Sequence, residues 1–131
     1  MIGGKDMSDT FCPLLFQHLA THPHGGVTHC CIADHREARS SAKDSEERYY
    51  NLNRDTVYDT FNSKTFREAR LQVLDGKKPQ ACLRCYAEEA KGVFSKRLEE
   101  IKNYSDYTVD VAQVATDENG YIKDVQLEFV E

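Results

Sequence analysis

No stretch of this 131-residue chain approaches the ~20 consecutive apolar residues that a membrane-crossing helix needs. The opening Met1-Ile2-Gly3-Gly4-Lys5-Asp6 lacks the apolar core of a secretory signal. A block of Lys and Arg is also missing, and 17 basic against 22 acidic residues leave a net charge of −5. That balance argues against nucleic acid or an anionic membrane as the main partner. Cysteine is too scarce for a disulfide-built scaffold: the five present fall well under the ~8–10% of such proteins, and their number is odd. The H-E-x-x-H, G-x-S-x-G, P-loop and G-x-G-x-x-G motifs are all absent, so no catalytic constellation stands by itself. What remains is a globular balance, 40% apolar and 30% charged, with length for one domain at roughly 100–200 residues per domain. A cytoplasmic protein, or part of a larger one, is expected.

Local patterns divide the chain. Residues 1–10 are polar and Gly-containing and read as a loose arm. Leu14–Ala20 and Val27–Ile32 are strand-compatible runs on either side of His22-Pro23-His24-Gly25-Gly26, where Pro and Gly signal a turn. Together they predict a β-hairpin that sends Cys30 and Cys31 to opposite faces of its second strand. Residues 34–48 are almost all charged or polar and predict a solvated loop or surface helix. Ser63 offers an N-cap to a helix carrying Phe66, Ala69, Val73 and Leu74 on one face, ended by Gly76. After Cys85, residues Ala87, Ala90, Phe94, Leu98 and Ile101 step at helical spacing, with Gly92 as a point of kink or break. Glu88, Glu89, Glu99 and Glu100 then read as that helix's wet face. Val109, Val111 and Val114, a turn at Asp117-Glu118-Asn119-Gly120, and an alternating run Val125–Val130 predict a C-terminal β segment.

The thiols carry the chemistry. Cys82-Leu83-Arg84-Cys85 is a C-x-x-C knuckle, whose spacing turns two sulfurs toward one point, as zinc and iron–sulfur sites require. One knuckle is half of a four-thiolate shell. The other half would come from Cys12 and from Cys30 or Cys31, carried back toward the chain start by the hairpin. In a reducing compartment such thiols are more often metal ligands or redox groups than structural bridges. A ligand role for His29 in a Cys₃His zinc site is a lesser reading. A thiol oxidoreductase using Cys82 and Cys85 is weakened because the knuckle follows a helix exit at Asp75-Gly76-Lys77-Lys78-Pro79 instead of opening a helix after a strand.

Beside these residues the sequence resembles the SPASM/twitch auxiliary domain of radical SAM proteins. Phe11-Cys12-Pro13-Leu14 and His22-Pro23-His24-Gly25-Gly26-Val27 lead to Cys30-Cys31, with twelve and then four residues separating Cys12, Gly25 and Cys30. Phe61-Asn62-Ser63, Leu74–Pro79 and Cys82–Tyr86, with Glu89, Gly92, Ser95 and Arg97 following, are similar to the twitch helix, turn and knuckle. The resemblance spans about residues 11–104. It implies that Cys12, Cys30, Cys82 and Cys85 hold one [4Fe–4S] cluster; because a Cys₄ set suits either metal, a structural zinc-binding interaction module is the alternative. The single-cluster twitch form is implied because no cysteine follows Cys85. The C-x-x-x-C-x-x-C loop of radical SAM catalysis is absent from the sequence, so the expected partner is a radical SAM core, within a longer protein or in trans, with a peptide or small molecule as substrate. Residues 105–131 would lead into that core. The expected fold class is α+β: a small hairpin and helices around a four-cysteine site, then the C-terminal β segment.

Overall fold

A computed structural model of the protein describes residues 10–21, 26–30 and 41–123. Pro13 introduces one helical turn, α1 (Leu14–Gln17), whose Leu14, Leu15 and Phe16 are all buried. An extended strand was expected from Leu14, but alternation would have turned Leu15 away from its neighbours. A helical turn wedged into the core buries three consecutive apolar side chains. The chain becomes extended only at His18, and β1 (Ala20–Thr21) pairs antiparallel with β2 (Val27–Thr28), Ala20 opposite Thr28 and Thr21 opposite Val27. The hairpin is present but short. His29 and Cys30 lie beyond β2 in a bend, so strand alternation does not set where the Cys30 side chain points. The turn residues 22–25 and Cys31 lie outside the described residues, as do residues 1–9 of the expected arm. Thr10 is buried, and its hydroxyl donates to the Val73 carbonyl at 2.9 Å.

Of the charged stretch, residues 34–40 lie outside the described residues. Its end folds against the hairpin: buried Ala42 donates its N–H to Val27 at 2.8 Å, and an isolated bridge joins Lys43 to Tyr49. Two capped helices follow. Thr56 accepts from the Asp59 N–H ahead of α2 (Val57–Phe61), and Ser63 accepts from the Phe66 N–H ahead of α3 (Lys64–Leu74). Helix α3 ends as its sequence predicts. Gly76 takes a positive φ of 76°, and the N–H groups of Gly76 and Lys77 bond back to Val73 and Gln72, closing orphan carbonyls in a Schellman arrangement. Phe66, Ala69 and Val73 are buried as expected, Leu74 partly so.

A 3₁₀ turn at Gln80–Cys82 leads into α4 (Leu83–Ala90). The run after Cys85 breaks at Gly92, where φ is 80° and the Gly92 and Val93 N–H groups return to Glu89 and Glu88. Ser95 then caps a separate helix, α5 (Lys96–Asn103), through the Leu98 N–H. The break changes which residues face inward: Cys85, Tyr86, Arg97 and Glu100 are buried, whereas Ala87 and Ala90 are exposed and Phe94 is 63% exposed. Residues 109–115 correct the expected β segment. Thr108 caps α6 (Val109–Ala115), which buries Ala112 and leaves Val114 90% exposed. A strand would have carried Val109 and Val111 on one face; the cap and the buried Ala112 favour a helix instead. In the described part of the C-terminal stretch the only β pairing is an isolated Thr116–Ile122 bridge, and Val125–Val130 lie outside the described residues.

The core gathers Phe11, Leu15, Phe16, Val27, Phe61, Phe66, Val73, Ala112 and Ile122. At its centre stands Arg70 on α3, fully buried. Its Nε donates to the Leu15 carbonyl at 2.7 Å, Nη1 to Asn62 Oδ1 at 3.0 Å and to the Gly120 carbonyl at 2.9 Å, and Nη2 to the Phe61 carbonyl. The guanidinium also lies over the Phe61 ring, 4.3 Å from its centroid. Burial lowers the Arg70 pKa to about 9, still high enough to keep the cation at neutral pH. Among the described residues no helix is long and apolar enough to cross a membrane.

Candidate metal centre

Cys12, Cys30, Cys82 and Cys85 line one pocket. Cys12 precedes α1, Cys30 follows β2, Cys82 closes the 3₁₀ turn and Cys85 lies in the first turn of α4. All are free thiols, three of them buried and Cys82 half-buried. Leu14 and Ala81 supply apolar wall, and Arg84, Lys96 and Arg97 supply cationic side chains. Among the described residues no three or more His, Cys, Asp or Glu side chains close on one point as a single ion requires.

The segments carrying Cys12 and Cys30 are held by contacts outside the sulfur. The N-terminal segment carrying Cys12 is pinned on both sides of Phe11: Tyr86 Oη donates to the Thr10 carbonyl at 2.7 Å, and Arg97 Nη1 donates to the Phe11 carbonyl at 2.9 Å. Arg97 is itself fixed by Glu89 across the Gly92 break. Its Nε donates to Glu89 Oε2 at 2.9 Å and its Nη2 to Glu89 Oε1, while Ser95 Oγ donates to Oε2 at 2.5 Å. A bidentate, charge-assisted fork of this kind fixes orientation as well as position. Burial opposes both charges, but the shared hydrogen bonds prevail, so the Glu89 carboxyl is held below and the Arg97 guanidinium above its ordinary range. This corrects the reading of Glu89 and Glu100 as part of a wet face. Glu100 is only 6% exposed, and its carboxylate meets Lys96 at 2.9 Å. The Glu89–Arg97 pairing spans two helices, so a pattern read along one continuous helix hides it.

On the opposite wall, Thr28 Oγ1 donates to the Cys30 carbonyl at 2.8 Å. His29 is buried, with Nε2 lying 3.2 Å from Cys82 Sγ. Burial, with His18 and Arg70 nearby, lowers its pKa to about 4, so the ring is neutral.

The thiols are not activated. Burial pushes the Cys12 pKa up to about 12, and Cys82 and Cys85 are also raised, chiefly by burial. Reactive C-x-x-C pairs show the opposite shift, so the direction does not favour the thiol oxidoreductase reading. For Cys82 the neighbouring Cys12, Cys30 and Cys85 add to the upward shift. Crowded sulfurs that resist carrying negative charge alone are the donor set that a metal centre neutralises on binding, with release of protons. The donor chemistry therefore fits an iron–sulfur centre, and the soft ligand set matches it.

The family model named SPASM, described as an iron-sulfur cluster-binding domain, matches residues 12–86, more than half of the chain and a span containing all four pocket cysteines. No curated protein and no solved structure matches the chain.

Proposed function

Since the chain belongs to the SPASM family of iron–sulfur cluster-binding domains, we propose that Cys12, Cys30, Cys82 and Cys85 hold one [4Fe–4S] cluster. In this reading the domain is the twitch-type auxiliary part of a radical SAM protein and works beside a catalytic core, in one polypeptide or in trans. The observation that carries the reading is the shared pocket of four cysteines drawn from three distant parts of the chain. Four thiolates would also suit a single tetrahedral zinc, and the match to an iron–sulfur cluster-binding family is what favours a cluster.

When bound, such a cluster supplies one-electron transfer, and four protein thiolates leave no iron open to a substrate. The part played by this chain is then to hold and insulate. Arg97 and Tyr86 fix the backbone beside Cys12, Leu14 and Ala81 keep the sulfurs in apolar surroundings, and the Arg97 guanidinium offsets thiolate charge. The role that fits is electron relay or support of a peptide or small-molecule substrate at the neighbouring core. Free thiols suit a reducing compartment such as the cytoplasm.

Anaerobic reconstitution with iron and sulfide tests the assignment. The expected product is brown, with iron and acid-labile sulfide in equal amounts at one [4Fe–4S] cluster per chain. Serine at position 12, 30, 82 or 85 should each lower that content sharply. Colourless protein holding stoichiometric zinc after the same treatment would overturn the assignment in favour of a structural zinc module.

A further inference from the structure

His29 lies outside the proposed four-cysteine ligand set and has no role in the function proposed above. Its ring is 3% exposed and stands edge-on to Phe66, with centroids 6.1 Å apart and planes at 90°. That contact sets the ring's orientation, and its Nε2 faces Cys82 Sγ at 3.2 Å. A cysteine that ligates iron is a thiolate, which can only accept a hydrogen bond. The nitrogen facing it must therefore carry the proton.

We propose that His29 donates an Nε2–H hydrogen bond to the Cys82 thiolate and thereby raises the reduction potential of the centre, a role that rests on the cluster assignment above. The direction follows from charge. Reduction adds an electron to a centre already rich in thiolate charge, and a donor aimed at one sulfur stabilises the reduced state more than the oxidised one. Burial of His29 strengthens the effect, because a hydrogen bond is electrostatically stronger in a low local dielectric. The contact also spans 53 residues of sequence and joins the two halves of the donor set, since His29 adjoins Cys30 while Cys82 opens the knuckle. His29 is thus a positioning residue.

The test compares wild type, His29→Phe and His29→Gln after anaerobic reconstitution, with redox titration followed by EPR. The glutamine side-chain amide can still donate a hydrogen bond, whereas phenylalanine cannot. The expected result is full cluster content in all three, a more negative potential for His29→Phe, and return toward the wild-type value for His29→Gln. Fully loaded His29→Phe with an unchanged potential would overturn the proposal. Should His29→Phe fail to load, wild-type protein labelled with ¹⁵N-histidine decides the matter by pulsed EPR of the reduced centre. Weak nitrogen coupling supports a hydrogen bond. Strong coupling, meaning direct ligation, or no coupling overturns it. Wild-type protein that takes up no iron or sulfide removes the centre and this role with it, a result distinct from a loaded centre indifferent to His29.

Discussion

Replacing Arg70 with methionine tests whether the core depends on one buried cation. Methionine keeps the unbranched length and removes every donor. The native guanidinium is costly to bury: its pKa falls from 12.5 to about 9, which at ~1.4 kcal/mol per unit is a penalty on the order of 5 kcal/mol. Against it stand hydrogen bonds to Leu15, Phe61, Asn62 and Gly120, each worth about 1.5–3 kcal/mol from a charged donor. These outweigh the penalty. Methionine escapes the penalty but leaves three buried carbonyls without this donor; Asn62 Oδ1 keeps the Ile122 N–H at 2.9 Å. The expected net loss is about 3 kcal/mol, a large share of the ~5–15 kcal/mol stability of a domain. Urea unfolding of the reduced, metal-free full chain, followed by far-UV circular dichroism, should show it. With a slope near ~1.5 kcal/mol/M, the midpoint should drop by roughly 2 M. Arg70→Lys should recover less than half, because one ammonium cannot span acceptors on separate segments. A methionine variant whose midpoint stays within about 0.5 M of wild type would refute the reasoning.

Three further outcomes are expected. Gly120→Ala should cost more than Gly92→Ala, although both glycines have positive φ. A Cβ at Gly120 would meet the Arg67 carbonyl oxygen at 2.6 Å, whereas one at Gly92 meets nothing within 4 Å. Left-handed strain alone is about 1–2 kcal/mol, and thermal unfolding should separate the two variants. Because the folded-state pKa of Glu89 is held below its ordinary value, its contribution to stability is complete above the unfolded carboxyl range of about 4.3. It is lost as pH falls through the lower folded value. Glu89→Gln should therefore destabilise the protein at neutral pH and show a smaller further loss in acid, as read by urea titrations at stepped pH. Finally, Cys30→Ser should strip the reconstituted iron while Cys31→Ser leaves it unchanged. Equal loss from both would mean that the two positions share the ligand role.

What could be read from the sequence was whatever short-range chemistry decides. Ser63 and Gly76 bound α3 because a cap and a left-handed glycine act within one helical turn. Gly92 marked the break between α4 and α5 for the same reason. The spacing pairs Cys82 with Cys85 and leaves Cys30 or Cys31 to join Cys12, the resemblance selects Cys30, and Cys12, Cys30, Cys82 and Cys85 line one pocket. Apolar content alone misleads at two places, where it points to strand. Leu14–Gln17 and Val109–Ala115 form helices because a turn against the core buries Leu15 or Ala112, and such tertiary gains override residue preference. The burial of Arg70 could not be read at all, and the resemblance names Glu89 and Arg97 without their contact. A charged residue on a helix ordinarily faces water, and what reverses that here is carbonyls or a carboxylate supplied by other segments.

The clamp from Arg97 to the Phe11 carbonyl joins residues 86 positions apart, and synthesis runs from the N-terminus. Cys12 leaves the ribosome well before the helix whose side chain anchors its neighbouring peptide. If the proposed centre forms, iron delivered to the nascent chain would meet a cradle that is complete only once α5 has emerged and docked. Slowing translation within α5, without changing a single amino acid, should then delay maturation of the centre.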